Sequence, residues 1–175
     1  MILIFTDQKE FPQLKIEAVA QEIKKTIHAS EIEYRRLYDR RIFFFKKNGD
    51  ELKIEFTHYP FTLLNRPEII NGIRIDSLED AAANKLMALI DRIEAKDFVD
   101  LYFIIKEKNI TVGRLRELVQ KKFSFKIDPI ALGSEFAKVG ALTALPKMIK
   151  PLELDDLKIF FADRAKELKP EIFIS

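Results

Sequence analysis

The sequence contains no cysteine. That excludes disulfides, thiolate metal centres and a cysteine nucleophile. The two histidines, His28 and His58, are too few and too far apart for a histidine-based metal site. Tryptophan is absent, but fifteen phenylalanines supply bulk for a core. A dominant charge is missing too: 30 basic and 28 acidic residues interleave to a formal net charge of +2. A balance like that carries no global argument for nucleic acid, although local patches stay open. No apolar run approaches the roughly 20 residues of a membrane span. The apolar opening, Met1 to Phe5, is broken at once by Asp7, Lys9 and Glu10 and has no basic lead-in, so it does not read as a signal peptide. The expected location is the cytoplasm.

What is present is globular. Hydrophobic residues make up 47% and charged residues 33% of 175 residues, enough for one compact domain, or one domain with a small helical extension. There is no internal repeat and no low-complexity linker. The first five residues read as a buried strand, and apolar Leu14, Ile16, Val19, Ile23 and Ile27 predict an amphipathic helix from Phe11-Pro12 to about residue 27. Residues 32–38, 41–47 and 52–58 read as strands. The last two are joined through Asn48-Gly49, which supplies the positive φ of a tight hairpin turn. After Tyr59-Pro60 the pattern becomes helical, with helices expected over 77–92, 96–108, 112–122, 129–141 and 154–168, the last stopped by Pro170. Ser77 is the expected N-cap of the first of these, with Asp80 as its reciprocal partner. The fold class is α+β, a small mixed or antiparallel sheet followed by a helical half.

Some residues resist this plain reading. At about 100° per residue, Leu78, Ala82, Leu86 and Leu89 share one stripe of the helix that starts at Ser77. Lys85 falls within that stripe, and Arg92 lies one turn beyond Leu89 on the same side. A core-facing lysine needs an anionic partner or ligand; the alternative is a stem that runs along the apolar surface to water. On the next helix Asp97 heads a stripe continued by Leu101 and Ile104, with Asp100 on the following turn. Helices joined by so short a link tend to pack antiparallel, which would bring these carboxylates towards Lys85 and Arg92. Asp97 is equally explained as a complement to the helix dipole, worth roughly 0.3–1 kcal/mol, which accounts less well for Asp100. In 52–58, alternation sets Lys53, Glu55 and Thr57 opposite Leu52, Ile54 and Phe56, and the residues alone make the first set a solvated face. Tyr34-Arg35-Arg36, Arg40-Arg41 and Lys46-Lys47 form a basic stretch that is solvated surface by default, with interleaved aromatics that leave RNA contact open.

Ser77-Leu78-Glu79-Asp80, then Lys85 and Arg92, then Lys96-Asp97-Phe98-Val99-Asp100-Leu101-Tyr102 together resemble the two C-terminal signature motifs of the AbiEii/AbiGii toxin family. These are nucleotidyltransferase-like proteins of abortive-infection toxin–antitoxin pairs, and the resemblance runs from Ile2 to about Leu168. It implies a nucleotidyltransferase-type sheet over residues 1–66 and a helical region over 67–175, packed as one domain. The implied chemistry is transfer of a nucleotidyl group from an NTP with release of pyrophosphate, aided by Mg ions that carboxylates hold. The implied partners are a cognate antitoxin and an RNA or protein acceptor. By the resemblance Glu55 is the third metal-binding carboxylate and a catalytic residue. Lys85 and Arg92 bind the nucleotide phosphates, and Asp97 is catalytic, as base or as partner of Lys85. Asp80, Lys96 and Asp100 belong to the structural part of the motifs.

The sequence departs from the family pattern at its start. A Gly-Gly or Gly-Ser turn should lead into an Asp-x-Asp strand; here Met1 and Leu3 stand at the two aspartate positions. Asp7 lies beyond the strand, with nothing to make it a substitute. Loss of two of three carboxylates is expected to abolish two-metal catalysis, because hard cations need several oxygens. The expectation is a catalytically impaired chain, either part of a longer enzyme or a non-catalytic pseudoenzyme that binds NTP or a partner. A purely structural role for Lys85, Asp97 and Asp100 is the third reading.

Overall fold

The computed structural model describes residues 2–6 and 12–169. Met1, Asp7, Lys9, Glu10, Phe11 and Pro170, which entered the expectations above, lie outside the described residues. The chain divides into two compact units, Met1–Phe61 and Thr62–Ser175.

Among the described residues the first unit is a four-stranded sheet with one helix, α1 (Gln13–Thr26). Its strands are β1 (Ile2–Thr6), β2 (Glu31–Leu37), β3 (Arg40–Lys47) and β4 (Asp50–His58), in the order β1-β4-β3-β2. β4 runs parallel to β1 and antiparallel to β3, so the sheet is mixed. Asn48 and Gly49 close the β3–β4 hairpin at φ of 51° and 88°, the left-handed pair that matches the twist of the flanking strands. Phe43, Phe45, Ile54 and Phe56 cluster with Ile16 and Ala20 of α1, and Phe43 meets Phe56 edge-on with ring centroids 6.0 Å apart.

α1 buries Ile16 and Ala20, with Ile23 and, at its C-cap, Ile27 partly buried in line with them; Leu14 and Val19, expected on that stripe, are exposed. The spacing i, i+4, i+7, i+11 explains the difference, since Leu14 and Val19 fall off that line. β4 lies between two strands and buries Ile54, Glu55 and Phe56 in succession. Ile54 and Phe56 pack with α1, whereas Glu55, on the other face, is closed off by its ion-pair partners Arg40 and Lys53, which themselves stay at the surface. The solvated face expected for Glu55 is therefore overturned.

The second unit opens with a short hairpin, β5 (Glu68–Ile70) and β6 (Ile73–Ile75), turned by Asn71 and Gly72 at φ of 51° and 78°. The expected helical half contains no such hairpin. Strands of three residues are too short to show alternation, although Asn71-Gly72 carries the same turn signal as Asn48-Gly49. Among the described residues five α-helices follow: α2 (Leu78–Asp91), α3 (Ala95–Lys108), α4 (Val112–Phe123), α5 (Pro129–Ala137) and α6 (Leu154–Glu167). The helix expected over 129–141 ends at Ala137 and tightens into a 3₁₀ turn, Lys138–Ala141. Ser77, Thr111 and Asp128 cap α2, α4 and α5 by accepting from the backbone N–H three residues on.

α2 packs against α3 and α4, and α5 against α6. The core holds Leu86 and Leu89 of α2, Phe98 and Leu101 of α3, Leu115 and Leu118 of α4, Phe136 of α5 and Phe161 of α6. Phe161 stacks edge-on to Phe98 with centroids 5.1 Å apart. Leu78, expected on the buried stripe of α2, is exposed at the start of the helix. Among the described residues no helix is long and apolar enough to cross a membrane. The fold is α+β, with a mixed sheet first and helices after it.

Candidate functional site

α2 carries Lys85 between the buried Ala82 and Leu89, and α3 begins after a link of three residues, Arg92 to Glu94. Arg92 is extended, with φ of −153° and ψ of 157°, and its side chain returns to the first turn of α3. Asp97, with no exposed surface, accepts hydrogen bonds from Lys85 Nζ at Oδ1 and from Arg92 Nε at Oδ2, both 3.0 Å. Lys85 also pairs with Asp100 Oδ2 at 2.6 Å. Arg92 continues to Glu94 at 3.3 Å, and Glu94 pairs with Lys96.

The result is a chain of alternating charge, Asp100–Lys85–Asp97–Arg92–Glu94–Lys96, buried at Asp97 and open at its ends. The structure thus brings together Lys85, Arg92, Lys96, Asp97 and Asp100. Burial by itself would raise the Asp97 carboxyl, but the hydrogen bonds from Arg92 and Lys85 outweigh it and hold the group below its ordinary value. Burial likewise works against the Lys85 ammonium, and Asp100 and Asp97 overcome it, so its pKa is raised. The side chain of Lys85 keeps 29% of its surface exposed. It is both paired and partly exposed, a combination that neither of the two sequence alternatives contained.

Asp80 lies at the first turn of α2 and is fully buried. The reciprocal cap expected for it takes another form. Its backbone N–H donates to Ser77 Oγ at 3.0 Å, and the Ser77 hydroxyl in turn donates to Asp80 Oδ2 at 2.7 Å. The carboxylate also accepts from Leu64 N–H at 2.8 Å, Asn65 N–H at 3.2 Å and Lys122 Nζ at 2.7 Å. Burial pushes this carboxyl up, and the Leu64 N–H, Lys122 and Ser77 together bring it below its ordinary value. Sequence reasoning missed Lys122. The signal was the one that exposed Lys85: Lys122 is in phase with Val112, Leu115 and Val119 on the buried face of α4. A Ser77→Ala variant removes both the cap and one donor to Asp80, and is expected to lose about 1–2 kcal/mol in chemical unfolding. A loss of only a few tenths would show that the hydroxyl contributes nothing beyond a solvated cap.

Glu55 belongs to the first unit. On the sheet face opposite α1 its carboxylate pairs with Arg40 Nε at 3.4 Å and Lys53 Nζ at 3.1 Å. Lys53 is two residues away on the same strand and was legible from the alternation. Arg40 was not, because only the β3–β4 register brings it near. The strand neighbours of Glu55 are Leu3 on β1 and Ile42 on β3. One carboxylate faced by two cations does not fit the several oxygen donors that a hard divalent ion requires. Among the described residues no three His, Cys, Asp or Glu side chains gather as a metal-binding group.

Comparison with known proteins returns a consistent likeness. An uncharacterized protein of Aquifex aeolicus (strain VF5), aq_aa25, is 37% identical over 76 residues, which is 42% of this chain and 37% of that protein. The chain therefore matches little more than a third of that relative's length. The crystal structure of JHP933 from Helicobacter pylori superposes with a TM-score of 0.55 at 21% identity, covering 98% of this chain and 76% of that one; it speaks to the fold. A family model described as nucleotidyl transferase AbiEii toxin, type IV TA system, matches residues 6–172. With the match spanning nearly all of its length, this chain belongs to the AbiEii nucleotidyl transferase toxin family.

Proposed function

We propose that this chain is a nucleotidyltransferase-like toxin component in which Lys85 and Arg92 receive the phosphates of an NTP, and that as a 175-residue chain it does not complete nucleotidyl transfer. The observation that carries the first half is the state of Lys85. Its ammonium is partly exposed, yet it is anchored by the wholly buried Asp97. An incoming phosphate can take the position of the half-exposed Asp100 at Lys85 without breaking the buried contact, so charge is exchanged rather than stripped of partners. Asp97 acts here as the residue that orients both cations.

The second half rests on Glu55. Leu3 is its register partner where the family pattern has a carboxylate, so among the described residues Glu55 has no second carboxylate with which to hold a two-metal site. The chain then works as an NTP-binding protein with a cognate antitoxin as partner, and an RNA or protein acceptor belongs to the transfer reaction that it does not perform. Magnesium remains a property of the NTP complex offered to Lys85.

Calorimetry with NTP, in magnesium and in EDTA, tests this on the chain and on Lys85→Ala, alongside a pyrophosphate-release assay. A magnesium-dependent component of binding that Lys85→Ala removes, with no pyrophosphate released, is the expected result. Pyrophosphate release by the unmodified chain would refute the impairment. Binding that survives intact in Lys85→Ala would reduce Lys85, Asp97 and Asp100 to scaffold.

A further inference from the structure

The sheet of the first unit holds a second cationic arrangement that lies outside the Lys85 reading and uses different residues. Glu55 keeps only 5% of its side chain exposed, whereas its partners Arg40 and Lys53 keep 48% and 32%. A buried acid thus holds two basic groups at the surface of the sheet. Arg40 meets Glu55 through Nε, which leaves the Nη end of its planar fork, the geometry that pairs with phosphate oxygens. Lys53 offers a three-donor ammonium and meets Glu55 through one oxygen. Two cations against one carboxylate leave a local excess of one positive charge, which repels a divalent metal and attracts an oxyanion.

We propose that Arg40 and Lys53, held by Glu55, form a metal-independent site for a phosphate oxyanion, so that in this chain Glu55 positions two cations instead of binding a metal. The strand neighbours Leu3 and Ile42 supply no oxygen that would bring a metal back to this position. The two basic side chains supply the positive charge that a divalent ion would otherwise supply to a phosphate. The ligand is a phosphate group not already chelated by magnesium, from a nucleotide tail or from a nucleic-acid backbone.

Inorganic triphosphate titrated in EDTA by calorimetry tests the site. Arg40→Gln and Lys53→Gln, each leaving Glu55 one cation, are expected to weaken binding about tenfold, the equivalent of one charge-assisted contact. Arg40→Lys should recover part of the loss. The triple variant Arg40→Gln/Lys53→Gln/Glu55→Gln, which leaves no lone buried charge, should abolish the binding that survives Lys85→Ala while its circular dichroism stays native. Each of these variants is also read in a Lys85→Ala background, where any triphosphate taken up by the site proposed on α2 is removed and the remaining binding belongs to Arg40 and Lys53. A short oligonucleotide without a terminal triphosphate that binds more tightly, and is lost in the same variants, would assign the phosphate to a nucleic-acid backbone and support the site. Manganese binding, read by electron paramagnetic resonance and removed by Glu55→Gln, would overturn the proposal. So would triphosphate binding that is absent in EDTA or indifferent to Arg40 and Lys53.

Discussion

A Lys122→Met variant is expected to lose about 3–5 kcal/mol of stability in urea unfolding, the range for breaking a buried charge pair from one side. The side chains of Lys122 and Asp80 are both fully buried, and their charged atoms are 2.7 Å apart. Without the ammonium, Asp80 keeps its donors from Leu64, Asn65 and Ser77 but loses the cation paired with its carboxylate. Met fills nearly the same volume, so the loss reads the charge more than a cavity. Asp80→Asn retains an acceptor for the Leu64 N–H and should cost less than Asp80→Ala, which leaves two backbone N–H groups without their acceptor. For the same reason an apolar double replacement, Asp80→Leu with Lys122→Met, should not recover the wild-type midpoint. A loss below about 1 kcal/mol in Lys122→Met would mean that the pair is not made in solution.

Asp97→Ala is expected to cost about 3 kcal/mol near neutral pH, at the low end of that range because Lys85 and Arg92 reach water. The loss should carry a pH signature. Asp97 and Asp80 are both held below the ordinary value of 3.8 in the fold. A depressed carboxyl contributes stability above its unfolded pKa, and that contribution fades as pH falls through the folded value. The unmodified chain should therefore lose stability below about pH 4, and Asp97→Ala should flatten part of that acid limb. Lys85 works in the opposite direction. Its pKa is raised above 10.5, so its contribution is complete below that value and is lost as pH rises beyond it. Unfolding midpoints measured across the acid range for both chains decide the matter. Parallel curves would show that Asp97 does not carry the acid dependence.

The part of the Lys85 cluster legible in the sequence was a conflict between residue type and helical phase. A lysine on an apolar stripe and an aspartate at the head of the next one could be read from a repeat of 3.6 residues. The same test applied to α4 would have exposed Lys122, since 112, 115, 119 and 122 share one face. Its partner could not be read, because Asp80 is 42 positions away and no local rule joins them. Ser77 was legible as a cap, but the second use of its hydroxyl, as a donor to Asp80, depends on Leu64 and Asn65 folding back over the start of α2.

Glu55 shows the limit most clearly. Period-two alternation separates the two faces of a strand, but it does not say whether the second face is solvated. That depends on which side chains close over it, and here Arg40 of the neighbouring strand and Lys53 cover Glu55 while staying exposed themselves. Local pattern by itself determined β1 to β4 and the helices, though not the β5–β6 hairpin, together with the Asn48-Gly49 turn, the Ser77 cap and the family motifs around Lys85 and Asp97, because each depends on residues a few positions apart. Only the tertiary structure decided that Glu55 is buried beneath Arg40 and Lys53, that Asp80 is locked to Lys122, and that Lys85 is at once paired and partly open. Burial and charge pairing are set by which distant segments meet, and the energy of a buried charge depends on those neighbours far more than on its own position in the chain.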